Sequence, residues 1–198
     1  MKKIRVGVLM GGTSNEREVS LWSGEQVLKN LSRDLYEVSK IEITTDGKWF
    51  LNNKTFLTIL PDRDLKRRFD VIFIALHGTF GEDGKVQAIL DTLQIPYTGS
   101  GVLASALSMN KMKTMELLAV HKIRMPQTIS LQKNEKTTAA ITFPCVVKPN
   151  AAGSSVGVSI VKDKKGLTPA LHKVFKEDTM ALIQEYIEGR ELTCAIMG

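Results

Sequence analysis

The sequence predicts an α/β fold, because two strand-like runs and one helix-like segment occur in a characteristic order. Residues 4–10 and 70–76 are apolar almost throughout, which is typical of parallel strands covered on both faces. Apolar residues between 19 and 31 recur at a helical spacing, and Gly11 and Gly12 separate them from the first run. A strand, a glycine turn and a helix in succession form the unit from which open parallel sheets are built.

The other elements are predicted from the same patterns and from the turn residues between them. Further strands are predicted at residues 36–43, 128–131, 145–147, 180–187 and 191–196, with a short hairpin at 48–55. Helices are predicted at 85–93, 102–108, 111–120 and 167–175. Gly99, Ser100 and Gly101 mark the boundary between a first and a second domain.

The composition is that of a soluble globular protein, with 43% hydrophobic and 24% charged residues among 198. No apolar run approaches the ~20 residues needed to span a bilayer. The net charge is +6, but the basic residues are scattered and only 6% of residues are aromatic. This pattern argues against a nucleic-acid-binding surface and suits a small anionic ligand. Cys145 and Cys194 lie in apolar runs, so we predict buried free thiols in a reducing cytoplasm.

One stretch near the C-terminal end joins two β-branched runs by a loop of small residues. The first run ends in Lys148, which can reach a phosphate as a point charge. Gly153 and Gly157 permit positive φ and a close approach of the backbone to a ligand. Backbone N–H groups and the hydroxyls of Ser154 and Ser155 can donate to phosphate oxygens. The stretch therefore predicts a phosphate-covering loop, with an ordinary hairpin carrying a flexible tip as the alternative.

Two polar residues are predicted at the carboxyl ends of strands, where open α/β sheets bind ligands. Glu16 follows the first strand and its glycine turn, and it could hold the ammonium group of a substrate. The alternative for Glu16 is a capping box with Thr13 at the start of the helix. His77 ends the strand at 70–76 and is predicted at the same sheet edge, although it could be only a satisfied polar residue.

Six short blocks are spread over the chain: GGTSNEREVSL at 11–21, ALHG at 75–78, GEDG at 81–84, PYTGSG at 96–101, ASALSMNK at 104–111 and VKPNAAGSSVG at 147–157. Together they resemble the D-alanine–D-alanine ligase family. The resemblance implies the ATP-grasp fold, in which two sub-domains sandwich ATP. It implies a Rossmann-like pre-ATP-grasp domain at residues 1–100 and a smaller ATP-grasp sub-domain at 101–183. Residues 184–198 would begin the C-terminal ATP-grasp sub-domain, truncated before its completion.

The resemblance also implies roles for individual residues. Glu16 and Ser154 match catalytic residues that position the first D-alanine, and His77 matches a residue near the same substrate. The residues that match ATP-binding positions are Lys111, Lys148, Gly153, Ser155, Gln184, Glu185, Ile187 and Glu191. Backbone groups would read most of the adenine edge, so Gln184 and Glu185 need not act through their side chains. Without the resemblance, Glu191 would be interpreted as an exposed strand carboxylate.

The implied reaction is cytoplasmic synthesis of the D-Ala-D-Ala dipeptide for peptidoglycan, with ATP and Mg²⁺ or Mn²⁺ as cofactors. The γ-phosphate moves to the carboxylate of one D-alanine, and the amine of a second D-alanine then displaces phosphate. The family's metal ligands, its oxyanion arginine and its loop for the second substrate are expected beyond Gly198. We therefore assign no metal ligand and expect these 198 residues alone not to catalyse ligation.

Three alternatives stay open from the sequence. A D-alanine–D-lactate ligase or another ATP-grasp carboxylate–amine ligase would share these motifs and differ in the second substrate. A non-catalytic nucleotide- or amino-acid-binding module is the third. The partners implied are D-alanine and ATP, with neither nucleic acid nor membrane, and the family's usual dimeric state suggests a homodimer.

Overall fold

The computed structural model of the chain describes residues 2–59, 64–135, 140–153 and 156–194. The chain forms two compact units, one comprising Met1–Thr114 with Ala152–Ser154 and the other Met115–Ala151 with Ser155–Gly198. The first unit therefore continues past residue 100, where the sequence places a domain boundary. None of the helices within the described ranges is long and apolar enough to cross a membrane.

The first unit is built on a five-stranded sheet with the order β4-β3-β2-β1-β5. Its elements are β1 (Ile4–Gly11), α1 (Arg17–Asn30), β2 (Tyr36–Ile43), β3 (Trp49–Leu51), β4 (Thr55–Phe56), α2 (Asp64–Arg68), β5 (Val71–Ile74), α3 (Lys85–Thr92) and α4 (Val102–Met109), and α5 (Lys111–Ala119) begins in this unit. β1 pairs in parallel with both β2 and β5, and β3 and β4 add an antiparallel hairpin. The predicted α/β fold is confirmed.

Both faces of β1 are buried, which explains its continuous apolar sequence. Leu9 packs on one face in a core cluster with Ile41 and Ile72. Val8 and Met10 belong to a second cluster on the face that α1 covers. Gly24 of α1 lets the helix approach closely, since a Cβ there would lie 2.7 Å from Cβ of Met10. This packing holds the beginning of α1 at the carboxyl end of β1.

The second unit contains a four-stranded antiparallel sheet with the order β6-β9-β7-β8. Its elements are β6 (Thr128–Gln132), β7 (Cys145–Pro149), β8 (Ser159–Val161), α6 (Lys164–Val174) and β9 (Met180–Glu185). Val147, Val174 and Ile183 form the core between the sheet and α6. Gln184 and Glu185 lie within β9 of this sheet. The predicted start of a further sub-domain at residue 184 stays a prediction.

Two local expectations differ from the structure. Glu191–Cys194 form no strand, and residues 195 and 196 lie outside the described residues. Leu192 is 85% exposed, so the apolar side chain in this segment does not pack into a core. Cys145 is buried and free as predicted, and burial raises the pKa of its thiol. Cys194 forms no disulfide among the described residues either, but it is exposed, so the prediction that it is buried is wrong.

An ion pair joins the beginnings of β1 and β5 and makes stability depend on acid pH. Arg5 Nη2 lies 2.7 Å from Asp70 Oδ1, and the backbone N–H of Arg5 donates to Asp70 Oδ2 over 2.8 Å. The Arg5 guanidinium and then this N–H hold the pKa of Asp70 well below its usual range. The carboxylate therefore contributes stability that is present above about pH 4 and is lost as the pH falls through its lowered pKa.

We expect Asp70→Asn to remove that contribution. The urea midpoint of the wild-type chain should fall more steeply than that of the variant when the pH is lowered from 5 to 2. Equilibrium unfolding at several pH values measures this difference, with Asp34→Asn at an exposed position as the control. Parallel pH profiles for wild type and Asp70→Asn would contradict the expectation.

Candidate functional site

The carboxyl ends of β1 and β5 lie side by side. The two strands are parallel neighbours, with Leu9 opposite Ile74, and the N–H of Ala75 donates to the carbonyl of Leu9 over 2.8 Å. The turns that carry Glu16 and His77 therefore leave the sheet at one edge, as the sequence predicts. Parallel pairing of the two strands is what brings residues so distant in the chain together.

Ser14 links the two turns directly. Its hydroxyl donates to the carbonyl of His77 over 2.8 Å and accepts from the N–H of Glu16 over 3.2 Å. Glu16 is the N-cap residue of α1, and its side chain makes no capping hydrogen bond. The alternative of a capping box with Thr13 is thus wrong, because Ser14 takes the role of local acceptor and Thr13 is exposed.

The Glu16 carboxylate packs against the backbone of two glycines. A Cβ on Gly153 would lie 2.5 Å from Glu16 Oε2, and a Cβ on Gly78 would overlap the same oxygen. Gly78 also has a φ of +70°, which side-chain-bearing residues rarely adopt. The acceptor oxygen thus sits between the turn after β5 and the first residues of the glycine-rich loop.

We expect Gly153→Ala to displace the Glu16 carboxylate and to weaken binding of an ammonium-bearing ligand by about tenfold. The backbone of Gly153 is not in the positive-φ region, so the effect comes from contact and not from strain. Titration of D-alanine against the chain measures it. Gly189→Ala is the matched control, because nothing lies within 4 Å of a Cβ at that position. Equal affinities for the two variants would show that the contact does not matter.

Two further side chains fix the start of α1. Ser20 is fully buried, and its hydroxyl accepts from the N–H of Gly11 over 2.9 Å and donates to the carbonyl of Ala75 over 2.8 Å. The Arg17 guanidinium donates to the carbonyl of Gly12 over 3.2 Å and to Glu42 Oε1 over 2.7 Å. These bonds tie the helix that begins at Glu16 to the strand ends on both sides of it.

His77 is held by polar groups on both sides of its ring. Nε2 lies 3.0 Å from the hydroxyl oxygen of Ser23, and Nδ1 lies 3.5 Å from Glu82 Oε1. The other oxygen of Glu82 accepts from the N–H of Gly78 over 2.9 Å. Sequence reasoning missed Ser23 and Glu82 as site residues. The GEDG block contains Glu82, but nothing in the spacing indicates its histidine partner.

Lys111 lies at the start of α5 and contacts the beginning of the glycine-rich segment. Its ammonium group donates to the carbonyl of Ala152 over 2.7 Å and is partly buried. The predicted phosphate-binding lysine therefore already contacts the backbone of the glycine-rich segment. Ser154 and Ser155 lie outside the described residues, so the structure does not place either of these predicted site residues.

Lys148 lies on β7 in the second unit. Its side chain is half-buried, and burial lowers the pKa of its ammonium group because the charged form loses hydration. Among the residues that the structure describes, no acidic side chain forms an ion pair with it. Gly157, beyond the loop, has a φ of +79° and packs against Pro149. An unpaired, partly desolvated cation next to such a turn can bind an anion.

The predicted adenine-binding residues of the second unit lie in different environments. Gln184 is buried, and its amide donates to Thr128 Oγ1 over 2.8 Å. Glu185 Oε2 accepts from the backbone N–H of Gln127 over 3.1 Å. Both side chains are thus engaged within their own unit, in keeping with recognition through the backbone. Ile187 is 61% exposed, and Glu191 is exposed as well.

The described ranges contain no group of three or more histidine, cysteine, aspartate or glutamate side chains that could hold a metal ion.

Family models and curated relatives match the chain along almost its whole length. The model described as D-ala D-ala ligase N-terminus matches residues 5–64 and 54–100, and the model D-ala D-ala ligase C-terminus matches 106–198. A D-alanine–D-alanine ligase from Citrifermentans bemidjiense is 41% identical over 198 residues, which cover all of this chain and 61% of the relative.

Solved structures agree with this relationship. The D-alanine–D-alanine ligase from Bacillus anthracis complexed with ATP superimposes with a TM-score of 0.77 at 36% identity, over 94% of this chain and 60% of that one. The VanG D-Ala:D-Ser ligase from Enterococcus faecalis superimposes with a TM-score of 0.82 at 28% identity, over 95% of this chain and 64% of that one.

The chain spans about 60% of the length of the curated relatives that it matches. The two family models match the residues on both sides of the glycine-rich loop and the turns that carry Glu16 and His77. On these matches, together with the fold and the arrangement of the site, the chain belongs to the D-alanine–D-alanine ligase family.

Proposed function

We propose that the protein that carries this chain joins two D-alanine molecules at the expense of ATP, through a D-alanyl phosphate. One observation carries the proposal: the Glu16 carboxylate lies against the backbone of both Gly78 and Gly153. An acceptor for a substrate ammonium group is thereby placed beside the first residues of a loop suited to phosphate. An enzyme that phosphorylates an amino acid needs these two features close together.

The described residues have distinct tasks in this proposal. Glu16 accepts hydrogen bonds from the ammonium group of the first D-alanine and so fixes the position of its carboxylate. Lys111 and Lys148 neutralise phosphate charge, because positioning and charge neutralisation carry most of phosphoryl-transfer catalysis. Gly153 and the loop that follows it cover the phosphates. Gln184, Glu185, Ile187 and Glu191 line the nucleoside, with Glu191 taking the ribose hydroxyls.

The proposed reaction has two steps. A carboxylate oxygen of the first D-alanine attacks the γ-phosphorus of ATP, the bond to the β,γ-bridging oxygen breaks, and ADP leaves. The amine of the second D-alanine then attacks the acyl carbon, inorganic phosphate leaves, and the amine loses a proton. Mg²⁺ would accompany ATP as a charge-neutralising ion, and none of the described residues is assigned to it. We place this activity in the cytoplasm. We also propose that the protein forms a homodimer, and light scattering measures this oligomeric state directly.

A chimera tests the proposed activity. The chain is joined to the part of the Citrifermentans bemidjiense relative that the alignment leaves unmatched. We expect phosphate release that requires both ATP and D-alanine, with D-Ala-D-Ala as the product by mass spectrometry. The loop for the second substrate would come from the relative, so the chimera tests the use of ATP and of the first D-alanine by this chain. Discrimination between D-alanine, D-serine and D-lactate as second substrate would report on the relative's part. ATP binding by the chain without any effect of D-alanine would instead favour the nucleotide-binding module.

A further inference from the structure

The imidazole of His77 lies between two side chains that come from different elements. Ser23 is on α1 and faces Nε2 over 3.0 Å, whereas Glu82 is in the loop before α3 and faces Nδ1 over 3.5 Å. Both ring nitrogens therefore have a polar neighbour. Because one neighbour is a carboxylate and the other a hydroxyl, the two nitrogens are not equivalent.

The chemistry of these two neighbours determines where the ring proton resides. An ionised carboxylate only accepts hydrogen bonds, so an unprotonated Nδ1 facing it would be repelled. A serine hydroxyl can donate to an unprotonated Nε2. We propose that Ser23 and Glu82 are positioning residues that hold His77 as the tautomer protonated at Nδ1, with Nε2 accepting the Ser23 hydroxyl proton.

Both partners are fixed by contacts that do not involve the ring. Glu82 Oε2 accepts from the N–H of Gly78, and the N–H of Glu82 donates to the carbonyl of Gly78, each over 2.9 Å. Ser23 lies one helical turn after Ser20, whose buried hydroxyl ties α1 to the ends of β1 and β5. A ring held from both sides in this way keeps one orientation before any ligand arrives.

The consequence for the site deepens the proposed function and rests on it. The carbonyl of His77 is already tied to the turn of Glu16 through Ser14. Fixing the side chain of the same residue holds the imidazole in one orientation at the sheet edge where Glu16 would bind the substrate ammonium group. Ser23 and Glu82 would thus help to order the first D-alanine site without touching the substrate.

The tautomer can be read directly in the ligand-free chain. The sequence has three histidines, and selective ¹⁵N labelling of their rings with long-range ¹H–¹⁵N correlation spectra distinguishes protonated from unprotonated nitrogens. At about pH 8.5 we expect the ring proton of His77 to reside on Nδ1. His121 and His172 are exposed and serve as internal references, and His77→Gln identifies the signals.

Variants then separate the two partners. Glu82→Gln should shift the proton towards Nε2, since an amide accepts and donates equally well. Ser23→Ala should move the Nε2 resonance to that of the exposed histidines, and Ser23→Thr should restore it. D-Alanine affinity should fall about fivefold in Ser23→Ala and Glu82→Gln and recover in Ser23→Thr. Ser108→Ala and Glu37→Gln, both at exposed positions, should leave the His77 signals and the affinity unchanged.

The outcomes distinguish this inference from the proposed function. A wild-type His77 protonated at Nε2, or Glu82→Gln spectra identical to wild type, would overturn the positioning role even if D-alanine binds. The expected tautomer together with no D-alanine binding by the wild-type chain would support the positioning role and count against the proposed function. The wild-type spectrum alone is a sufficient first test, so the inference does not depend on a variant folding.

Discussion

Glu16→Gln is expected to weaken D-alanine binding by about 100-fold, which corresponds to about 3 kcal/mol. The substitution keeps the shape of the side chain, so the packing of Oε2 between Gly78 and Gly153 is retained. It removes the charge and can place an amide donor where the ammonium group of the substrate also donates. Titration of D-alanine against the chain measures the affinity, and D-alanine-dependent phosphate release by the chimera measures the reaction.

Glu18→Gln provides the matched control for this variant. Glu18 is exposed in the first turn of the same helix, so its replacement removes the same charge from the same helix end. We expect Glu18→Gln to bind D-alanine within about twofold of wild type. If both variants lost affinity equally, the effect would come from the charge at the helix terminus, and Glu16 would not be the ammonium acceptor.

The sequence predicted the sheet edge that carries the site because topology alone determines it. Continuous apolar runs identified β1 and β5 as parallel strands, although only Ile72 of β5 is fully buried, and parallel neighbours present their carboxyl ends at one edge. Glu16 and His77 could therefore be placed together without any knowledge of side-chain contacts. The helix α1 was predictable in part for the same kind of reason, since Leu21, Val27 and Leu28 pack on that face of the sheet. Val19 and Trp22 belong to the same apolar pattern but are exposed.

The contacts within the site could not be predicted in this way. Ser23 lies 54 residues from His77 and Ser14 lies 63 residues from it, so their hydrogen bonds depend on the assembled sheet. Local patterns also gave a wrong prediction at the start of α1. Thr13 was considered as the side chain that accepts a hydrogen bond there, whereas the acceptor in the structure is the hydroxyl of Ser14. The short helix α2 escaped detection because five residues with three basic side chains offer almost no periodic signal.

Lys148→Met is expected to stabilise the chain while it weakens ATP binding. The Lys148 ammonium is half-buried and its pKa is lowered by lost hydration, with no acidic partner among the described residues. An apolar side chain of similar length removes that cost, for a gain of about 1 kcal/mol and a rise in Tm of about 2–4 °C. The same change removes a point charge for phosphate, so ATP affinity should fall at least about tenfold.

Two controls separate these opposite effects. Lys148→Arg keeps the charge, so it should bring no gain in stability. Lys162→Met changes an exposed lysine after β8 and should alter neither Tm nor affinity. Thermal unfolding and fluorescence titration with a labelled ATP analogue in the presence of Mg²⁺ measure the two quantities. A loss of stability in Lys148→Met would mean that the ammonium is well solvated or paired, and the lysine would not be held ready for an anion.

The pH dependence of the gain gives an independent check on its cause. Because the pKa of Lys148 is lower in the folded state than in the unfolded one, the folded chain bears the cost of the charge at neutral pH. That cost disappears as the lysine deprotonates, so the stability difference between Lys148→Met and wild type should shrink as the pH rises through the lowered pKa. A difference that stayed constant up to about pH 11, above the ordinary lysine pKa of about 10.4, would assign the gain to packing, whereas a shrinking one would assign it to desolvation of the Lys148 ammonium group.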